Sequence, residues 1–509
     1  MPALHAPAAR SRQLPRTAVL LGAMLLCTAT FFSQWASALP VFARQTGQNC
    51  VACHAGGQFP ELTPYGRMFK MTGYTIGRRT LPFAGMAELG LSKVANTGKD
   101  PTPGQTFAKN GDPVFTGASL FIAGKITDNI GTFTQITYDN YAGQAADDAG
   151  DNVGRWQGHT SADNIDIRYA DQFIGANQNV IFGISLNNNP SVSDPWNTAA
   201  AWMQYVPTPS PGSSQFADAA TPYPGNSTDG NVAGLTAYMF LNRTFYGEVG
   251  LYRTANQGFS FMSAGINDAG TTHLRGNDNP YWRLAYYHEW GPNNIMVGAS
   301  GMSAHIFDGS TDPSDSNAYN RVRTVGIDSQ YQYLLDPHTV TLQAIYQRQT
   351  TDYSPNTVAD ALAAWPNFFQ ADGVTPVAPP NSSDTENILR LKATYVYMAK
   401  YGGSVAFFNE SGSTNSLNQS SGYDSCGQIT VDNPCGDGIV STPTVGSLSG
   451  NPGQRGATLE AFWIPIQYIR VGAQYTLYTK YNGATSNYDG LGRNPRDNNT
   501  LFLYVWAAY

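Results

Sequence analysis

Tyr468-Ile469-Arg470-Val471-Gly472-Ala473-Gln474-Tyr475-Thr476-Leu477 alternates without a break. Ile469, Val471, Ala473, Tyr475 and Leu477 fall on one side of an extended chain, and Arg470, Gly472, Gln474 and Thr476 on the other, because successive side chains of a strand point to opposite faces. The same reading sets Leu389, Leu391, Ala393, Tyr395 and Tyr397 against Arg390, Lys392, Thr394 and Val396, and Ile165, Ile167 and Tyr169 against Asp166 and Arg168. Period two dominates from Phe83 onward. Segments of roughly ten residues, apolar on one face and polar on the other, are the signature of a transmembrane β-barrel. A soluble sandwich alternates as well, with its aromatic residues turned inward. It is the competing reading.

The connections count the strands. Short turns are expected at Thr127-Asp128-Asn129, Gly175-Ala176-Asn177, Asn242-Arg243, Gly291-Pro292-Asn293, Asp336-Pro337-His338, Tyr401-Gly402-Gly403 and around Pro465. Long polar segments separate them: 96–116, 139–163, 189–233, 254–279, 307–320, 351–386, 411–453 and 480–499. Seven turns and eight loops give an all-β, antiparallel barrel of about sixteen strands, with both chain ends on the short-turn side. In an outer-membrane barrel that side faces the periplasm and the long loops face outside. The last strand, Leu501 to Tyr509, ends on an aromatic residue, as such barrels commonly do.

Composition agrees. Only 13% of the 509 residues are charged, while Gly (52) and Tyr (29) are abundant. No apolar run long enough for a membrane helix follows the N-terminus. The net charge of −7 leaves no basic footprint for nucleic acid.

Residues 1–38 read as an export signal. Arg10, Arg12 and Arg16 precede an apolar core from Ala18 to Phe32, and Ala36-Ser37-Ala38 is an A-x-A cleavage site. Cys27 lies inside that core after Leu26, which is too large for a lipoprotein signal. Residues 39–82 then form a separate small segment, and 83–509 the barrel. Within 39–82, Cys50-Val51-Ala52-Cys53-His54 has the C-x-x-C-H spacing that attaches one covalent haem c: two thiols add to the vinyl groups and the histidine ligates the iron. A redox or zinc C-x-x-C is the alternative. Prolines 40, 60, 64 and 82 leave room for one short helix, around Tyr65 to Thr72. Phe42, Phe59, Leu62 and Phe69 supply only part of the apolar wall a haem needs, so the barrel must supply the rest and the segment should plug the lumen. Cys426 and Cys435, in a Gly/Asn/Ser-rich stretch, are expected to close a loop disulfide in an oxidising compartment.

The runs Leu39-Pro40-Val41-Phe42-Ala43-Arg44-Gln45-Thr46-Gly47 and Phe59-Pro60-Glu61-Leu62-Thr63-Pro64-Tyr65-Gly66-Arg67-Met68-Phe69-Lys70, flanking Cys50 to His54, resemble the outer-membrane fused cytochrome–porins of iron-oxidising bacteria. The resemblance covers about the first forty residues after the signal. It implies a monohaem cytochrome in the outer membrane of a Gram-negative bacterium. Such a protein takes electrons from extracellular Fe(II), an iron–cytochrome c reductase type of activity, and passes them to periplasmic carriers, a soluble cytochrome c or a copper protein. A conduit for another donor or acceptor, or a diffusion porin with a tethered haem, are the alternatives.

His54 is the expected proximal ligand. Met68 and Met71 are the distal candidates, since a Met/His pair raises the potential. Met296 is a third, while His288 and His305 read as interface or loop residues. Arg44, Arg67 and Lys70 are candidates for the haem propionates, with plain solvation as the other reading. Lys125, Arg168, Arg283, Arg390, Lys392 and Arg470 should face the lumen and pair with Asp166, Glu248, Asp328 and Glu460. Asp147, Asp148 and Asp151 can attract Fe(II) or merely keep a loop soluble.

Overall fold

A computed structural model describes residues 41–57, 59, 61–96, 110–146, 152–198, 232–263, 273–309, 312–364, 378–415, 449–488 and 492–509, without side chains for 140–157. Sixteen antiparallel strands form one closed barrel, each paired with its neighbours in sequence and β1 with β16. The strands are β1 Phe83–Val94, β2 Pro113–Lys125, β3 Ile130–Ala146, β4 Asn152–Ile174, β5 Asn179–Asn187, β6 Val232–Leu241, β7 Phe245–Thr254 and β8 Asn279–Trp290. They continue as β9 Asn293–Phe307, β10 Tyr319–Leu335, β11 His338–Asp352, β12 Ser383–Tyr397, β13 Tyr401–Gly412, β14 Arg455–Ile466, β15 Ile469–Lys480 and β16 Thr500–Ala508. Among the described residues no helix is long and apolar enough to cross a membrane. Closure leaves no strand edge, the condition for a sheet surrounded by lipid.

The alternation sorts as the sequence requires. On β15, Arg470, Gln474 and Thr476 are buried toward the lumen, while Tyr475 is exposed outward. Leu235, Val249, Leu284, Val297, Ile327 and Val405 stand exposed in mid-strand. They form an apolar belt. Toward the short-turn end the exposed outer face becomes aromatic, with Phe173, Phe245, Tyr286, Trp290, Tyr397, Tyr401 and Trp463, a girdle of the kind that marks a membrane interface. Inside, the charges pair within and across strands. Arg168 meets Asp166 at 2.6 Å, Arg283 meets Asp328 at 2.7 Å, and Arg470 meets Glu460 at 2.6 Å.

Four expectations shift. The stretch 139–163 is no simple loop: β3 runs to Ala146 and β4 starts at Asn152, because beyond the lipid both strand faces turn polar and period two is lost. The sixth short turn is Met398 to Lys400, before Tyr401-Gly402-Gly403. Those glycines lie in β13, where a Cβ on Gly402 would stand 2.1 Å from the Phe462 ring. The loop after β5 does not start outside: Asn189 to Thr198 is buried in the lumen, with a short helix over Pro190–Ser193. The N-terminal segment holds more helix than one turn region: α1 Val41–Thr46, α2 Cys50–Cys53 and α3 Pro64–Met71.

That segment lies inside the barrel at the short-turn end. Gln45 ties it to the end of β2, donating to the Tyr74 and Ile76 carbonyls at 2.6 and 2.8 Å and accepting from Lys125 N at 2.9 Å. Tyr74 donates to Asp166 at 2.6 Å, and Glu61 pairs with Lys392 at 3.5 Å. Arg67 is almost fully buried and donates to Gln330, Gln332, Tyr287 and Asn294 as well as to the Leu62 carbonyl. The segment is a plug anchored by charge-assisted hydrogen bonds.

Candidate functional site: a cavity between plug and barrel

The C-x-x-C-H run is built by local rules. Thr63 caps α3 by accepting from Gly66 N at 3.1 Å, with Pro64 in the first turn, where its missing N–H costs nothing. The Thr63 hydroxyl also donates to Ala52 O at 2.5 Å, and Thr63 N donates to Cys53 O at 2.9 Å, which clamps α3 onto α2. The approach is close. A Cβ on Gly66 would lie 2.2 Å from the Cys53 carbonyl oxygen, so only glycine fits.

Cys50, Cys53 and His54 line one cavity, which is open to solvent on one side. Phe42, Phe59, Leu62 and Phe69 line it from the plug, and Ala84, Met86, Phe121, Phe133 and Trp506 from the barrel. The rings interlock: Phe42 meets Phe69 edge-on at 4.8 Å and stacks on Tyr74 at 5.5 Å, while Phe59 lies 4.0 Å from the His54 ring and 5.2 Å from Trp506. The barrel therefore supplies the wall that the segment lacks.

Both cysteines are free thiols. Burial pushes Cys50 above its ordinary range, and burial with the neighbouring Cys50 pushes Cys53 up to about 11. A redox-active C-x-x-C or a metal site needs the thiolate, favoured by a lowered value. Among the described residues no three His, Cys, Asp or Glu side chains gather to hold a metal ion. One wall of the cavity holds the two thiols and the imidazole of the run together. The slot is apolar, and this donor set and its surroundings suit a covalently held porphyrin.

The other expected residues fall elsewhere. Met71 and Met296 are buried in an aromatic cluster with Trp196, Tyr238, Phe240, Tyr246 and Tyr287, and Met68 packs against it. None of the three lines the cavity. On α3, Gly66, Phe69 and Lys70 share the cavity face, whereas Met68 and Met71 point to the opposite side, as 100° per residue requires. Arg44 donates to the Phe83 and Leu81 carbonyls, and Arg67 serves the plug anchor. Lys70 does border the cavity, donating to Asp194 O at 2.7 Å and Asn197 Oδ1 at 2.9 Å, and burial lowers it to about 7. His288 stacks on Trp290 at 5.4 Å on the outer face. The signal segment, Asp147, Asp148, Asp151, Cys426 and Cys435 lie outside the described residues.

Several site residues escaped the sequence reading, Ala84, Phe121 and Phe133 of the barrel wall among them. Met86 and Trp506 sit on the first and last strands, brought together only by barrel closure, and Asn197 lies in a stretch that reads as outer loop.

No family model matches the chain, and no curated protein sequence does. Solved structures similar to it are outer-membrane proteins. A loop-deletion mutant of OmpT from Vibrio cholerae has 10% identity, covers 84% of this chain and 99% of its own, and gives a TM-score of 0.41. OmpF of Salmonella typhi, in complex with daunomycin, has 11% identity, 84% and 97% coverage and a TM-score of 0.42. The channel DcaP of Acinetobacter baumannii has 10% identity, 84% and 96% coverage and a TM-score of 0.38. The likeness is one of barrel architecture.

Proposed function

We propose that the chain is an outer-membrane electron-transfer cytochrome that carries one haem c in the plug cavity, oxidises extracellular Fe(II), and hands electrons to a periplasmic cytochrome c or copper protein. One observation carries this reading: Cys50, Cys53 and His54 line the same apolar cavity, enclosed jointly by plug and barrel. The haem would supply reversible one-electron chemistry, and the protein orients it, dries it and tunes it. Cys50 and Cys53 would hold it covalently and His54 would ligate its iron. The aromatic walls from Phe42, Phe133 and Trp506 would exclude water from it. A soluble carrier would dock at the short-turn mouth, close to the cavity.

The porin reading has the barrel in its favour, yet the plug and the inward stretch from Asn189 to Thr198 both occupy the lumen. Two measurements separate the readings. The denatured chain should retain peroxidase-active haem through electrophoresis, and the Cys50→Ala/Cys53→Ala variant should lose it while keeping its barrel. Fe(II) mixed with the oxidised protein should then reduce the haem in stopped flow, with little ion conductance through the purified barrel. A haem-free chain with high conductance would establish the diffusion porin instead.

A further inference from the structure

We propose that the thioether of Met86, on strand β1 of the barrel, is the distal axial ligand of the haem iron. The inference rests on the haem reading above and adds the sixth ligand to it. His54 borders the cavity from the plug, and Met86 borders it from the barrel. Phe59 connects the two walls: its ring lies 4.0 Å from the His54 ring and 5.2 Å from Trp506, and both Phe59 and Met86 pack on the Trp506 cluster.

Among the described residues lining the cavity, Met86 is the one methionine, and His54 the one histidine. Lys70 carries the other nitrogen able to bind iron, and it donates to Asp194 O and Asn197 Oδ1. The Tyr74 hydroxyl is committed to Asp166. Met68 and Met71 belong to the aromatic cluster on the far face of α3. A sulfur ligand also suits the task, because Met/His coordination raises the potential of a haem that must accept electrons.

Its placement is rigid. Met86 pairs with Ala508 of β16 and with Ser119 of β2, so ladders on both sides fix the backbone that presents the sulfur. The consequence is a coupling between halves of the chain. The plug holds the haem and its proximal ligand, and the barrel holds the distal one, so full coordination exists only while the plug is docked.

The test uses the full-length holoprotein in detergent. Haem staining of the denatured chain first shows whether haem is attached; an unstained chain overturns the haem reading and this assignment with it. The oxidised native protein should show the weak near-infrared thioether-to-iron(III) charge-transfer band, and iron X-ray absorption should show one Fe–S distance. A stained protein lacking both signatures overturns the Met86 ligand while leaving the haem in place. Met86→Leu, which keeps bulk against Trp506, should lose the band, turn high-spin and lower the midpoint potential. Met86→His should restore a low-spin spectrum without the band. Met68→Leu and Met71→Leu should keep band and potential. A Met86→Leu protein that retains the band, or a Met68→Leu or Met71→Leu protein that loses it, refutes the assignment.

Discussion

Replacing Arg67 with methionine should release the plug without unfolding the barrel. The guanidinium donates at 2.7–3.2 Å to Gln330, Gln332, Tyr287 and Asn294, side chains of β8, β9 and β10, and lies 4.9 Å from the centre of the Tyr287 ring. Methionine keeps most of the volume and removes every donor. A hydrogen bond to a charged group contributes about 1.5–3 kcal/mol, but four such values do not add, since removing Arg67 also removes its own desolvation cost. What methionine leaves behind is a set of buried neutral acceptors without their donor, which costs about 1–3 kcal/mol. All of these partners are barrel groups, so the loss falls on docking, and the undocked fraction should rise by roughly fivefold to a hundredfold at 1.4 kcal/mol per tenfold. Planar-bilayer recordings should turn from rare openings into sustained conductance, and a soluble protease should gain access to α3. Heat-modifiable migration on gels should still report an intact barrel. Arg67→Lys should behave nearly as badly, because an ammonium cannot reproduce the planar fork. Conductance and protease resistance unchanged in Arg67→Met would show that the network does not hold the plug.

Gly66→Ala places a methyl carbon 2.2 Å from the Cys53 carbonyl, and overpacking of that kind costs about 1–3 kcal/mol; a lowered yield of covalent haem, read by gel staining against total protein, checks it. Lys70, lowered by burial to about 7 in the docked plug, binds a proton more readily when released, so acid favours release and docking strengthens as pH rises from about 7 toward the ordinary lysine value. In the haem-free Cys50→Ala/Cys53→Ala background, Lys70→Met should therefore flatten the dependence of conductance on pH across that window, and an unaltered profile would count against a lowered Lys70 in the docked plug.

The barrel was legible because a strand between lipid and a polar lumen must alternate. Arg470 and Tyr475, five residues apart on β15, are buried and exposed as that rule demands. The Tyr401-Gly402-Gly403 error has a physical cause: glycine reads as a turn residue, yet Gly402 makes room for Phe462 within a strand, and the turn runs through Met398 and Ala399 at φ 55° and 52°. The site was legible where it is local. C-x-x-C-H sets both thiols and the imidazole on one cavity, and the periodicity of α3 could have excluded Met68 and Met71 from the Gly66, Phe69 and Lys70 face. Met86 was invisible for the opposite reason: it meets Trp506 across 420 residues, through a closure that no local pattern encodes.

The position of the cavity bears on which donors could reach a haem held there. Its barrel walls come from Met86 near the start of β1, Phe121 near the end of β2, Phe133 near the start of β3 and Trp506 near the end of β16, all at the short-turn end. If that end faces the periplasm, an apolar belt of roughly 25 Å would separate much of the long-loop side from a haem in the cavity. That span is too long for rapid transfer from a donor held at the outer surface. A small hydrated ion can shorten it by entering the polar lumen, whereas a bulky donor cannot. In proteoliposomes with the long loops outward, two one-electron donors of matched potential and different size should reduce the haem at rates that diverge strongly. The Arg67→Met protein should narrow the gap for donors supplied from the short-turn side only. Equal rates for the small and the bulky donor, added at the long-loop face of the wild-type protein, would show that electrons cross without the donor entering, and the lumen would then be a scaffold and not a route.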